Sequence, residues 1–256
     1  MSDDEIEFHG QRKSEIEFMR SDTRFLELSH EWLKASSRHR YSYHFDWLGL
    51  PIIQFPQDIV AIQELIWRVK PDLIIETGVA RGGSLILSAS LLALLDLAEA
   101  HSFTKEPVRR VIGVDIEIRE HNRKNIESHP ISRYIQLIEG SSTDQKVLGK
   151  IKEIANRHKR VMVFLDSNHT YEHVAAELLA YAEFVSPESY LVVFDTIVDS
   201  LPKEMFPDRP WGPENNPMVA VNEFLSTRTD FTIDDEIDSK LGISVAPRGY
   251  LKKSGD

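Results

Sequence analysis

The chain has 256 residues, enough for one large domain with a full hydrophobic core, and carries a formal charge of −11 from 41 acids against 30 lysines and arginines. That balance excludes a nucleic-acid or anionic-membrane surface, which needs clustered cations. The absence of cysteine excludes disulfides, thiolate metal sites and a thiol nucleophile. The acidic opening Ser2-Asp3-Asp4-Glu5 is unlike a secretory leader and no apolar run reaches membrane-spanning length, so a soluble, cytoplasmic protein is expected.

Residues 1 to about 13 are polar and are expected to be loose. Apolar positions at Ile16, Phe18, Phe25, Leu28 and Trp32 then predict a single helix to about Ala35. The stretch 36–55, with Tyr41, Tyr43, Phe45 and Trp47, reads as irregular and as packing over the core or over a ligand. Residues 1–55 thus form a tail and helical, aromatic extension, and 56–256 the main domain. Pro56-Gln57-Asp58 opens a helix through Val69, with proline in its first turn and an acid near its positive end.

Leu73-Ile74-Ile75-Glu76 is an apolar run closing on an acid, followed by a glycine-rich turn from Thr77 to Gly83 and an apolar helix to about Glu99. This order of strand, tight loop and helix puts permissive backbone and free helix N–H groups at the carboxyl end of a strand, where a nucleotide-like ligand can sit. A second strand spans 111–115, after a crossover lengthened by the polar insert 101–107. A third spans 134–140, and Ser141-Ser142-Thr143-Asp144 caps the helix behind it. The fourth and fifth strands, 161–166 and 190–195, flank another helix. Arg109-Arg110 and His158-Lys159-Arg160, just before strands, read as solvated strand entrances. The segment 196–217 holds five prolines and reads as a lid or binding loop. A helix at 218–226 precedes 231–233 and 243–247, which read as a terminal β-hairpin.

Acids therefore close four strands, at Glu76, Asp115, Asp166 and Asp195. Alternating strand and helix units make the sheet parallel, so the four share one rim and mark a site. Gly78-x-Ala80-x-x-Gly83 fits the alanine variant of a dinucleotide loop, which keeps an NAD-dependent oxidoreductase in view. Asp115 is placed to take a ribose, because a carboxylate accepts from both hydroxyls; a helix N-cap is its plain alternative. Asp166 and Asp195, at neighbouring strand ends, can share a hard cation such as Mg²⁺. His169 is a candidate base or an adenine neighbour. His169 and His173 have helical spacing but lack the glutamate of a zinc-protease helix.

Glu76-x-Gly78-x-x-x-Gly82-x-Ser84 resembles motif I of class I S-adenosylmethionine-dependent methyltransferases, where the acid and the loop backbone hold the methionine part of the cofactor. On that pattern Ser141 or Ser142 lies against the adenine. With Gly113-Val114-Asp115-Ile116, Gly140-Ser141-Ser142-Thr143-Asp144, Leu165-Asp166-Ser167-Asn168-His169-Thr170-Tyr171-Glu172-His173-Val174 and Trp211-Gly212-Pro213-x-Asn215-Asn216-Pro217, the chain resembles the cephalosporin hydroxylase/rhamnosyl O-methyltransferase family from about Tyr41 onward. The resemblance implies a Rossmann-like class I methyltransferase fold, α/β, with a central, mostly parallel seven-stranded sheet flanked by helices. It implies S-adenosylmethionine as cofactor, a hydroxyl of an antibiotic or sugar as acceptor, and Mg²⁺ held by an acid after the fourth strand, matched by Asp166, and an acid pair after the fifth. That pair is Phe194-Asp195 here, which leaves Asp166 and Asp195 as a two-carboxylate site, and Asn168 stands where relatives often have aspartate. The expected partners are a small acceptor and further copies of the chain. Two rivals stay open: a degenerate methyltransferase fold serving as a binding or assembly subunit, and an iron(II) oxygenase built on His44-x-Asp46, which lacks the short strands of a jelly roll.

Overall fold

A computed structural model describes residues 2–99 and 106–255; most of the polar insert, 101–105, lies outside the described residues. Helix α1 (Asp3–Ser21) begins where a loose tail is expected, because Ser2 and Glu5 form a reciprocal capping box: Ser2 Oγ accepts from the Glu5 amide and Glu5 Oε2 from the Ser2 amide. Instead of one helix to Ala35 the chain breaks at Asp22, whose side chain accepts from the Phe25 amide and starts α2 (Thr23–Ser37). The expected irregular stretch contains a 3-10 turn (Tyr41–Tyr43) and a small hairpin, β1 (Phe45–Trp47) and β2 (Leu50–Ile52). Its two turn residues, Leu48 and Gly49, both take positive φ, the geometry that matches strand twist in a two-residue hairpin. Trp47 Nε1 donates to Ser90 Oγ at 3.0 Å, pinning the hairpin to the helix below.

The main body then alternates: α3 (Pro56–Val69), β3 (Leu73–Thr77), α4 (Gly83–Ala98), β4 (Arg110–Asp115), α5 (Glu120–Glu127), β5 (Ile135–Glu139), α6 (Gln145–Ala155), β6 (Val161–Leu165), α7 (Tyr171–Tyr181), β7 (Tyr190–Val193), α8 (Pro217–Thr227), β8 (Phe231–Ile233), α9 (Asp235–Leu241) and β9 (Tyr250–Lys253). The seven strands β3 to β9 form one sheet in the order β5-β4-β3-β6-β7-β9-β8, with β3 to β7 parallel and β9 antiparallel to both its neighbours. Alternate residues face opposite layers. Ile74, Val111, Met162, Phe164 and Val192 pack toward α3 and α4, while Ile75, Ile112, Val163, Leu191 and Leu251 pack toward α6, α7 and α8.

Two expectations fail at the edges. The terminal hairpin pairs 231–233 with Tyr250–Lys253, not with 243–247, because the Val245 amide donates to Asp58 Oδ2 and that segment turns over α3. Arg109 is not a solvated strand entrance: it is buried, pairing with Asp96 and with Glu99 at 2.7 Å. Both acids lie at the end of α4 and meet the guanidinium as the chain returns to β4, so charge pairing decides what strand position alone suggests.

Candidate active site

Chain order reverses beside β3. The units β3 to β5 run to one side and β6 and β7 to the other, which opens a crevice at the carboxyl ends of β3 and β6. Both loops there are tight. Gly78 has φ +90°, and a Cβ at this position would lie 2.0 Å from the Asp166 carbonyl oxygen, so only glycine lets the two loops pass. A Cβ on Gly83 would lie 2.3 Å from the Pro51 carbonyl oxygen, which shows how closely the β1–β2 hairpin covers the start of α4.

The four strand-end acids do share one rim, but in different states. Glu76 is buried, and burial raises its carboxyl pKa to about 7 although Ser84 Oγ donates to Oε1. Its other oxygen, Oε2, is buried with no partner. Asp115 Oδ2 accepts from the amides of Val79 at 2.8 Å and Ala80 at 3.4 Å, and Oδ1 from Glu117 at 3.2 Å. It therefore braces the glycine loop. Beyond β6 and β7, Asp166, His169 and Asp195 bring ligand-capable atoms within 4.8 Å of one another. His169 Nε2 is 3.3 Å from Asp195 Oδ2. Asp166 Oδ2 accepts from Gln54 Nε2 at 3.2 Å, and no lysine or arginine pairs with it among the described residues. Enclosure and then the charges of Asp195 and Glu76 push its carboxyl well above the usual range. Asp195 itself holds φ +55°, an unusual conformation for a non-glycine residue.

A cavity of about 450 Å³ joins these parts. Gly78, Gly82 and Ser84 line it together with Asp166, His169 and Asp195, so six of the predicted residues come together. Glu76 lines a small space adjoining it, beside Asp166 and Phe194. Asp115, Ser141 and Ser142 do not line the cavity. Ser142 is buried, with Oγ 3.1 Å from His173 Nε2, while Ser141 Oγ meets Thr143 Oγ1, and Asp144 alone caps α6. His173 turns away from His169, toward Ser167 and the buried Glu177. His44 and Asp46 do not line the cavity either. Tyr43, from the aromatic stretch read as packing over the core or over a ligand, and Met205 and Phe206, from the segment read as a lid or binding loop, also line the wall, while Gln54 and Arg40 were not singled out by sequence; Gln54 follows β2 with no motif around it. Trp211, from the proline-rich segment, packs edge-on against His169 with ring centroids 4.8 Å apart.

A reversing α/β sheet, a glycine loop with a buried acid before it and a carboxylate cluster define a class I S-adenosylmethionine-dependent methyltransferase. The chain belongs to the rhamnosyl O-methyltransferase/CmcI family, whose model matches residues 39–254. It is an S-adenosylmethionine-dependent O-methyltransferase. Its similarity to the rhamnosyl O-methyltransferase of Mycobacterium bovis (strain BCG / Pasteur 1173P2) is 26% identity over 209 residues, 80% of this chain and 76% of that protein. With the Mycobacterium leprae protein of the same name it is 25% over 206 residues, 80% and 81%. Among solved structures, a CmcI form with Mg and SAM superposes with a TM-score of 0.56 at 19% identity, over 83% of this chain and 78% of that one. The O-methyltransferase TomG from Streptomyces achromogenes, in complex with SAM, superposes at 0.53 and 15% identity over 92% of both chains. The two structures support the seven-stranded fold.

Proposed function

We propose that this chain methylates a hydroxyl of a sugar or other small molecule, using S-adenosylmethionine at the β3 loop and a divalent cation at Asp166 and Asp195. One observation carries the reading: the glycine loop and the Asp166–His169–Asp195 cluster line one and the same cavity. The residues fit the cofactor. The unpartnered Oε2 of Glu76 suits an ammonium donor, and the bare Gly78, packed on the Asp166 carbonyl, brings the glycine loop and the acid cluster together. They also fit a cation, since two carboxylates converge with no basic residue paired to Asp166 among the described residues. The relatives point the same way, as the curated ones are named for rhamnosyl O-methylation and the CmcI structure contains Mg and SAM.

The cofactor, when bound, supplies an electrophilic methyl group on a good leaving group. What remains for the protein is positioning and removal of a proton. The glycine loop and Asp115 fix the cofactor end, with Asp115 acting through the Val79 and Ala80 amides it holds. Asp166 and Asp195 would hold the cation, which would lower the acceptor hydroxyl's pKa, and Gln54 orients Asp166 by donating to its Oδ2. His169, steadied by Asp195 and by the edge of Trp211, stands where it can take the hydroxyl proton. From residues 1–55, the 3-10 turn, strand β2 and the residues after it contribute to the cavity wall. Self-association would cover the exposed Phe8 and Phe18 of α1.

The test is formation of S-adenosylhomocysteine from S-adenosylmethionine with a panel of hydroxylated sugars and phenols, with EDTA and after adding back Mg²⁺. Acceptor-dependent product that EDTA lowers and Mg²⁺ restores is expected. Cofactor binding with no acceptor turned over in any arm would instead mark a binding or assembly subunit.

A further inference from the structure

The cavity wall carries both signs of charge. Asp166 and Asp195 line it together with Arg40, Arg81 and Arg209, the arginines contributed by three separate segments: the turn before β1, the glycine loop and the proline-rich stretch. None of the three guanidinium groups pairs with a carboxylate among the described residues, in a chain where acids outnumber lysine and arginine 41 to 30. Arg20, Arg24, Arg68, Arg109, Arg123 and Arg228 by contrast each meet an acid.

Two of the free arginines are also held in place. Arg40 lies 4.2 Å over the ring of Tyr43, from a backbone at φ +51°, and Arg209 lies 5.0 Å over Trp211, the same ring that packs on His169. Stacking uses the face of a guanidinium and leaves its N–H edge open, and that planar fork matches a carboxylate or phosphate. Arg81 sits on the loop read as holding the methionine part of the cofactor, whose carboxylate offers it a partner. Arg40 and Arg209 have no such partner in the cofactor.

We infer that the acceptor carries an anionic group, a carboxylate or a phosphate, apart from the hydroxyl that is methylated, and that Arg40 and Arg209 bind it. The inference rests on the proposed methyl-transfer reading of this cavity. On this inference the acceptor presents its hydroxyl to the Asp166–His169–Asp195 cluster and its anion to the two guanidinium groups, whose charge and planar fork attract it.

The experiment uses the full chain with S-adenosylmethionine bearing a trideuterated methyl group and a pool of hydroxylated compounds in matched sets, each scaffold as its neutral, carboxylated and phosphorylated member. Mass spectrometry identifies which members gain the label. Label concentrated in carboxylated or phosphorylated members is expected, and which of the two takes it identifies the anion. Arg40→Gln and Arg209→Gln should each raise KM for that member about tenfold or more while cofactor affinity, measured by calorimetry, stays within twofold. Label in neutral members at equal or greater rates, or an unchanged KM in both variants, would overturn the anionic acceptor and leave the methyltransferase reading standing. Cofactor binding without label in any member would remove that reading and this inference with it.

Discussion

The two halves of the crevice use acids in opposite ways. At the ends of β3 and β4, Asp115 is tied by three backbone amides and Glu76 by the Ser84 hydroxyl, so the carboxylates shape a loop and leave one oxygen, Glu76 Oε2, unsatisfied. At the ends of β6 and β7, Asp166 and Asp195 converge with only Gln54 and His169 to meet them. Braced acids hold geometry, and converging acids with few donors call for a cation or a proton in transit. On the proposed reading the same rim would serve binding at one half and chemistry at the other.

That contrast is open to attack by substitution. The largest effect is expected from Asp166→Ala and Asp195→Ala, each lowering turnover by about a hundredfold or more while leaving the affinity for S-adenosylmethionine within a few fold. Normal turnover in both variants would erase the division. Next comes Gly78→Ala, which strikes both halves, because its Cβ would be driven into the Asp166 carbonyl at a φ that disfavours alanine. Calorimetry should show cofactor affinity reduced about a hundredfold, and binding equal to the parent would show that the loop can give way without loss. Asp115→Ala frees the Val79 and Ala80 amides and should weaken cofactor binding about tenfold, with kcat at saturating cofactor little changed.

The smallest effect is one of pH. Burial raises the Glu76 carboxyl to about 7, so the free protein holds it protonated below that pH and ionised above it. An ammonium donor from the cofactor needs the ionised form. Affinity should therefore be highest above pH 7 and fall by about fivefold between pH 7 and pH 6. Glu76→Gln should weaken binding and flatten that profile; a wild-type profile flat from pH 8 to 5.5 would take Glu76 out of the cofactor site.

Much of this arrangement is legible in the chain, and where legibility ends has physical causes. The apolar runs at 73–76, 111–115, 161–165 and 190–194 are buried on both faces, so their composition alone marks them as central parallel strands and their terminal acids as a rim. The Glu76 to Ser84 spacing carries the cofactor loop. The capping box at Ser2 and Glu5 is a readable signal for α1, hidden by the polar composition of a helix with a single buried residue, Ile16. Turn chemistry misleads at Leu48-Gly49, which lacks the asparagine or aspartate usual before glycine in such a hairpin. The four-residue strand Tyr250–Lys253, unlike Phe231–Ile233, is set by tertiary pairing on both sides and leaves little periodicity. Gln54, Arg40 and Arg209 reach the cavity through chain crossings, so no local pattern announces them.

Calorimetric titration of the full chain with S-adenosylmethionine, repeated with NAD, tests the central claim most directly, since both the dinucleotide and the methyltransferase loop patterns fit the residues from Gly78 to Gly83. Saturable one-to-one binding of S-adenosylmethionine, with no heat from NAD, is the predicted result. Binding of NAD alone, or of neither ligand, would contradict it.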